Sequence, residues 1–112
     1  MQMVSVVIPC YNEEKNIPLL LDALDSQNYP HDLMEIVIVD GKSSDRSLDV
    51  ITQTAIKFPD LKIRVLENPQ RIIPAALNIG MRSAKGEIIV RMDAHSIPDM
   101  NYIRYCVENL EK

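Results

Sequence analysis

The sequence predicts a three-layer α/β/α sandwich on a mainly parallel sheet, and three observations lead there. Short β-branched runs alternate with apolar stripes of helical period along the whole chain. The runs are apolar at consecutive positions, as at residues 4–8 and 35–39, which suits strands covered on both faces. Turn signals separate each run from the next stripe, so the chain reads as repeated strand–helix units. Such units pack as parallel strands joined by right-handed crossovers.

Residues 4–8 form the first strand, closed by Pro9. Ile17, Leu20, Leu21 and Leu24 then recur at three and four, the inward stripe of a first helix. Glu13 and Glu14 are expected in its first turn, where carboxylates meet the positive end of the helix dipole. Residues 28–30 end that element, and residues 35–39 give the second strand, broken by Asp40-Gly41. Ser43 and Ser44 are expected to cap a second helix whose inward face is Leu48, Ile51, Ala55 and Phe58. Residues 61–66 form a third strand, and Asn68-Pro69 turns the chain. Pro74 suits the first turn of a third helix, where its missing N–H costs nothing. Gly80 is expected to be a weak point of this helix, and Gly86 its stop. Residues 87–92 form a fourth strand, and Ser96 and Pro98 are expected to open a fourth helix with Met100, Ile103, Val107 and Leu110 inward.

Composition narrows the function. The chain has 112 residues, 46% hydrophobic and 25% charged, with a net charge of -4. That is ordinary for one soluble globular domain. No cluster of Lys and Arg offers a phosphodiester track, and one Phe with no Trp gives little for base stacking, so nucleic acid is excluded as a partner. The start of the chain lacks a secretory pattern, and no apolar run approaches the roughly 20 residues of a membrane span. A cytoplasmic location follows as an expectation, with a longer parent able to sit at the inner face of the cell membrane. Cys10 and Cys106 have no CxxC spacing and read as two reduced thiols.

In open α/β sheets, ligands collect beyond the carboxyl ends of the strands. The residues placed there are Pro9, Cys10, Tyr11, Asn12 and Glu13 after the first strand, and residues 40–45 after the second. Glu67, Asn68 and Arg71 follow the third, and Asp93, Ala94 and His95 the fourth. Acids and an imidazole on one rim repel or compete unless a cation or a donor-rich ligand joins them. No GxGxxG follows the first strand and no GxxxxGK[ST] occurs, which sets aside dinucleotide and P-loop readings. Carboxylates without a glycine cradle suit a nucleotide whose diphosphate is neutralised by a divalent metal. Asp93 and His95, two apart, offer such an ion an oxygen and a nitrogen, although His95 reads equally well as a cap of the fourth helix.

Four segments then resemble family-2 glycosyltransferases of the GT-A type, in the branch of succinoglycan-like exopolysaccharide enzymes. They are VSVVIPCYNEEKNI (4–17), EIVIVDGKSSDRS (35–47), NPQRIIPAALNIGMRSAKGE (68–87) and IIVRMDAHSIP (88–98). They cover nearly the whole chain in the order of the family. The resemblance implies a Rossmann-like nucleotide-diphospho-sugar transferase fold and an inverting, metal-dependent transfer from a UDP-sugar such as UDP-glucose. The acceptor it implies is a growing polysaccharide or a lipid-linked oligosaccharide. It implies that Pro9, Tyr11 and Glu13 line the nucleotide pocket, with Tyr11 beside the base and Glu13 near the ribose. It assigns Asp40 to the uracil N–H and Asp45 to the second acid of that loop. Arg71 and Asn78 would shape the donor site, and Asp93 would hold ribose and metal. His95 stands where the family usually has the aspartate that ligates Mn²⁺ or Mg²⁺, and imidazole should favour Mn²⁺.

The second loop also departs from the commoner Asp-Asp-Gly-Ser-x-Asp by losing an acid and gaining Lys42. The expected unit, residues 1–112, is the N-terminal nucleotide-sugar-binding portion of a longer, truncated domain. It would bind donor without turnover, because no general base for the acceptor follows His95. Asp99 and Glu108 fall in the fourth helix pattern and read as a solvated face. An unfinished sheet edge beside the fourth strand is expected to permit self-association. Two other functions fit an α/β sheet with acids on its rim. A receiver-like metal-binding regulatory module needs a phosphoacceptor after the third strand, where Leu66-Glu67-Asn68 stands instead. A sugar-nucleotide-forming nucleotidyltransferase needs a glycine-rich basic loop after the first strand, which is lacking.

Overall fold

The structure, a computed structural model, describes residues 2–111. The first strand, β1 (Val4–Cys10), lies inside a four-stranded sheet between β2 (Met34–Asp40) and β4 (Ile88–Arg91), with β3 (Lys62–Glu67) outside β2. Every pairing is parallel: Val6 stands opposite Ile36 and Val90, and Ile38 opposite Val65. The helices are α1 (Ile17–Asp25), α2 (Ser47–Lys57), α3 (Ile73–Ser83) and α4 (Tyr102–Glu111), with a short 3₁₀ turn at His31–Leu33.

The order of the strands explains where the helices lie. From β1 through β2 to β3 the chain steps one way across the sheet, and from β3 to β4 it steps back past β1. Right-handed crossovers then send α1 and α2 to one face and α3 to the other. Two apolar clusters show this division. Val4, Val6, Ile8, Met34, Ile36 and Ile38 meet Ile17, Leu20, Leu21 and Leu24 of α1, Ile51 of α2, and Ile103 and Val107 of α4. The intervening Val7, Val37 and Val39 meet Ala76 of α3. The expected three layers and parallel sheet are present.

Helix starts differ from the sequence expectation, and each difference has a local cause. α1 begins at Ile17 with Pro18 in its first turn, so Glu13 and Glu14 precede it. The Glu13 carbonyl instead accepts the N–H groups of Asn16 and Ile17. α2 begins at Ser47 because the Asp45 carboxylate accepts the Ser47 N–H at 2.9 Å, while Ser43 and Ser44 bond elsewhere. Its inward residues are Ser47, Ile51 and Thr54, and Leu48 faces solvent. α4 begins at Tyr102 rather than near Ser96, because the side chain of Gln27 reaches over from the end of α1. Its Oε1 accepts the Ile103 N–H at 3.1 Å, and its Nε2 donates to the Asp99 carbonyl at 2.7 Å. Ile103 and Val107 are buried as expected, whereas Met100 and Leu110 are exposed.

Gly80 is a requirement rather than a weak point. A Cβ there would lie 2.3 Å from Cγ1 of Val7. The missing side chain is what lets α3 settle onto β1. Just beyond the same end of α3, the buried carboxylate of Glu35 ties the crossover to the sheet. It accepts from Ser5 Oγ (2.5 Å), the Lys85 N–H (2.7 Å) and Arg64 Nη2 (3.0 Å). Burial alone would raise its pKa, but the bonds from Ser5, Lys85 and Arg64 outweigh it and hold the carboxyl below its ordinary value. No helix among the described residues is long and apolar enough to cross a membrane.

Candidate active site

The loops after β1 and β2 lead to one face of the sheet and the loop after β3 leads to the other. A crevice of about 170 Å³ opens between them at the carboxyl edge. Pro9, Cys10, Tyr11 and Glu13 line it from the first loop, and Val39 and Gly41 from the second. Asn68, Arg71, Ile72 and Ile73 line it from the third, joined by Ala76 of α3 and by Asp93, Ala94 and His95 after β4. The expected residues Pro9, Tyr11, Glu13, Arg71, Asp93 and His95 are thus brought together.

Burial alternates through the loop after β4, first along the strand's continuation at Met92 and then through a turn at Ala94-His95 closed by the Ser96 N–H on the Asp93 carbonyl. Met92 still donates its N–H to the Val7 carbonyl, and Met92 and Ala94 are buried in the core. Asp93 and His95 consequently both rise towards solvent and line the crevice. His95 Nδ1 sits 3.7 Å from Glu13 Oε1, and Asp93 Oδ1 is 3.9 Å from Arg91 Nη2. The latter pair is well exposed and holds little energy. Glu13 is fixed from its other oxygen by Asn16 Nδ2 at 3.0 Å.

Three expected residues stand elsewhere. Asp40 is only 2% exposed and does not line the crevice. Its oxygens accept from Ser43 Oγ at 2.6 Å and the Ser43 N–H at 3.0 Å, so direct contact with a base requires Ser43 to turn away. Asp45 lies outside the lining too, binding Ser47 through both N–H and hydroxyl and the Glu14 N–H at 3.3 Å. Burial pushes its pKa up, but the Ser47 hydroxyl and the backbone N–H bonds prevail and lower it. Asn78 belongs to a separate groove of about 300 Å³ with Gln70 and Arg82 on the outer side of α3. Helical phase places it there, two residues on from the inward Ala76.

The sequence reading missed the apolar wall of Val39, Ile72, Ile73 and Ala76. The Ile72-Ile73 pair immediately before Pro74 was its available signal. Asn68, expected as a turn and rim residue, also shapes the third loop through its side chain. This residue is 2% exposed. Its N–H donates to the Asp40 carbonyl at 2.7 Å, its Nδ2 to the Ile72 carbonyl at 2.8 Å, and its Oδ1 accepts the Gln70 N–H. Cys10 lies on the crevice floor as an inert thiol. Burial first, and then the nearby charges of Asp40, Glu13 and Asp45, push its pKa up to about 12.

Non-glycine residues with positive φ mark the same rim. They are Asn12 (φ 52°), Lys42 (φ 59°) and Arg71 (φ 62°), one in each of the loops after β1, β2 and β3. Left-handed backbone is costly for Lys and Arg, and such strain gathers at functional sites.

Comparison with known proteins decides the family. The description "Glycosyl transferase family 2" matches residues 5–112. The chain belongs to glycosyltransferase family 2. Its curated relatives include the dolichyl N-acetyl-alpha-D-glucosaminyl phosphate 3-beta-D-2,3-diacetamido-2,3-dideoxy-beta-D-glucuronosyltransferase of Methanococcus voltae. That protein is 34% identical over 112 residues, covering 100% of this chain and 35% of its own length. The mannosyltransferase PcManGT of Pyrobaculum calidifontis, solved with GDP-Man and Mn²⁺, superposes with a TM-score of 0.94 at 34% identity. The match covers 99% of this chain and 33% of PcManGT. Residues 1–349 of Staphylococcus aureus TarS superpose with a TM-score of 0.85 at 25% identity, covering 97% of this chain and 32% of that one. The fold of this family 2 glycosyltransferase chain is of the GT-A type, and the chain spans about a third of the length of these relatives.

Proposed function

We propose that the crevice binds a nucleoside-diphosphate sugar, specifically a UDP-sugar such as UDP-glucose. The sugar is transferred with inversion to a growing polysaccharide or a lipid-linked oligosaccharide. The observation that carries this reading is the convergence of Tyr11, Glu13, Arg71, Asp93 and His95 on one crevice at the carboxyl edge of the sheet. Tyr11, 47% exposed, offers a flat ring to the base, and Glu13 accepts from ribose hydroxyls. The Arg71 guanidinium has no hydrogen-bond or ion-pair partner among the described residues, which leaves it for an anionic or carbonyl oxygen of the nucleotide.

Mn²⁺ or Mg²⁺ fits the donor set. Asp93 and His95, an oxygen and a nitrogen donor, both line the crevice, and no group of three or more His, Cys, Asp or Glu that could hold a metal occurs among the described residues. Phosphate oxygens and water would then fill the remaining positions, the usual arrangement for a cation that arrives with a nucleotide. Bound there, the ion supplies charge neutralisation to the departing diphosphate. The mannosyltransferase solved with GDP-Man and Mn²⁺ supports the ion, and the imidazole supports Mn²⁺ over Mg²⁺.

Inverting transfer also needs a base on the acceptor oxygen. Asp99 accepts the Asn101 N–H and Glu108 pairs with Arg104 at 3.6 Å, so both acids are engaged in and around α4. The residues that line the crevice are thus assigned to the donor side.

Calorimetry with UDP, GDP and ADP, each with and without Mn²⁺, tests the reading. UDP should bind best, and only with the ion. Tighter binding of GDP would replace the base assignment and keep the donor class. Absence of binding by all three would overturn the donor site itself.

A further inference from the structure

Tyr11 and Glu13 flank a residue that faces away from the crevice and carries most of the bonds between the first two loops. Asn12 is exposed, has φ 52°, and does not line the crevice. Its Oδ1 accepts the Ser44 N–H at 2.8 Å and the Asp45 N–H at 3.2 Å. Its own N–H donates to Ser43 Oγ at 2.9 Å, and its Nδ2 donates to Ser44 Oγ at 3.2 Å. Ser43 Oγ in turn donates to the buried Asp40 carboxylate, so the fastening continues to the end of β2. An exposed asparagine making this many bonds to a neighbouring loop, in a backbone region most residues avoid, is a device for shape.

We infer that Asn12 is a positioning residue of the donor site. It clips the loop after β1 to the loop after β2 and thereby holds Tyr11 and Glu13 in their binding arrangement before the nucleotide arrives. The inference rests on the donor-site reading. Two properties are needed together: tolerance of left-handed backbone, and a side-chain oxygen short enough to take the N–H groups of Ser44 and Asp45. Asn and Asp have both, Gly has the first alone, and Ala has neither. Without the clip, nucleotide binding must order the loop, and fixing the backbone of one residue corresponds to roughly five- to thirtyfold in affinity.

The test measures the dissociation constant for UDP with Mn²⁺, and the melting temperature, in wild type, Asn12→Gly, Asn12→Asp and Ile51→Val. Ile51 is buried under α2 away from the crevice and serves as a control for lost stability. Asn12→Gly should weaken binding by roughly five- to thirtyfold. Ile51→Val, with a comparable fall in melting temperature, should leave affinity unmoved. Asn12→Asp should stay within about threefold of wild type, because it keeps both needed properties. Wild-type affinity in Asn12→Gly would overturn the inference, as would Asn12→Asp binding as poorly as Asn12→Gly. If wild type binds no nucleoside diphosphate with the ion, the donor-site reading fails instead.

Discussion

Replacing Gly80 by Ala tests the closeness of α3 to the sheet. The new methyl would stand 2.3 Å from Val7 Cγ1, with Val7 Cγ2 at 3.3 Å and Val39 Cγ2 at 3.4 Å. Carbon atoms pack at about 3.5–4.0 Å, so α3 or Val7 must yield by roughly 1.2–1.7 Å. Val7 is fully buried in a central strand and is stiff at χ1, which leaves the helix to move. Alanine gains about 1 kcal/mol over glycine in a helix interior, whereas overpacking typically costs about 1–3 kcal/mol. The expected balance is a loss of up to about 2 kcal/mol, seen as a fall in melting temperature of about 4–8 °C for each kcal/mol in a domain of this size. Thermal and urea denaturation measure it. Val7→Ala in the same chain should recover about 1 kcal/mol or more of the combined loss, because the introduced methyl fills the space vacated. A rise in melting temperature for Gly80→Ala, or strict additivity of the two changes, would refute the steric reasoning.

Further outcomes follow from the same geometry. Glu35→Gln should cost about 1.5–3 kcal/mol at pH 7, since it removes a charge-assisted acceptor shared by Ser5, Lys85 and Arg64. Because the folded Glu35 pKa is lowered, its contribution is complete above the ordinary unfolded carboxylate value. It disappears as pH falls through the folded one, so urea midpoints of variant and wild type should converge in acid. His95→Asp should move the metal preference of UDP binding from Mn²⁺ towards Mg²⁺, and Asp93→Ala should abolish the dependence on either ion. A metal titration that leaves both variants like wild type would remove the pair from the site. With its thiol near pKa 12, Cys10 should alkylate at pH 8 on the order of a thousandfold more slowly than an ordinary cysteine, as followed by mass spectrometry. Labelling of native Cys10 as fast as the half-buried Cys106 would contradict its burial.

The layers and strand runs were legible because they depend on local period: Val4 to Ile8 and Ile17 to Leu24 declare their environments without help from distant residues. The starts of α2 and α4 were not, because the groups that fix them come from outside the expected cap positions. Gln27 lies 76 residues before the Ile103 N–H that it accepts. Gly80 shows the same limit, since helix propensity is a property of one chain segment and its clash partner is on another. In the site, Tyr11, Glu13, Arg71, Asp93 and His95 were found because they are polar residues at strand ends. Asp40 and Asp45 share that description, yet Ser43 and Ser47 claim their oxygens, and no pattern of residue types tells a free carboxylate from a committed one.

The alternation after β4 sets a rule for how this segment can change. Met92 and Ala94 point into the core while Asp93 and His95 point out of it, and the Met92–Val7 bond fixes the phase. Deleting or inserting a single residue between Val90 and Asp93 would exchange the two sets, sinking a carboxylate into the apolar cluster and presenting methyl groups to the crevice. Substitutions at Asp93 and His95 can therefore adjust the chemistry of the rim one side chain at a time, while a single-residue length change before Asp93 disturbs both sets together.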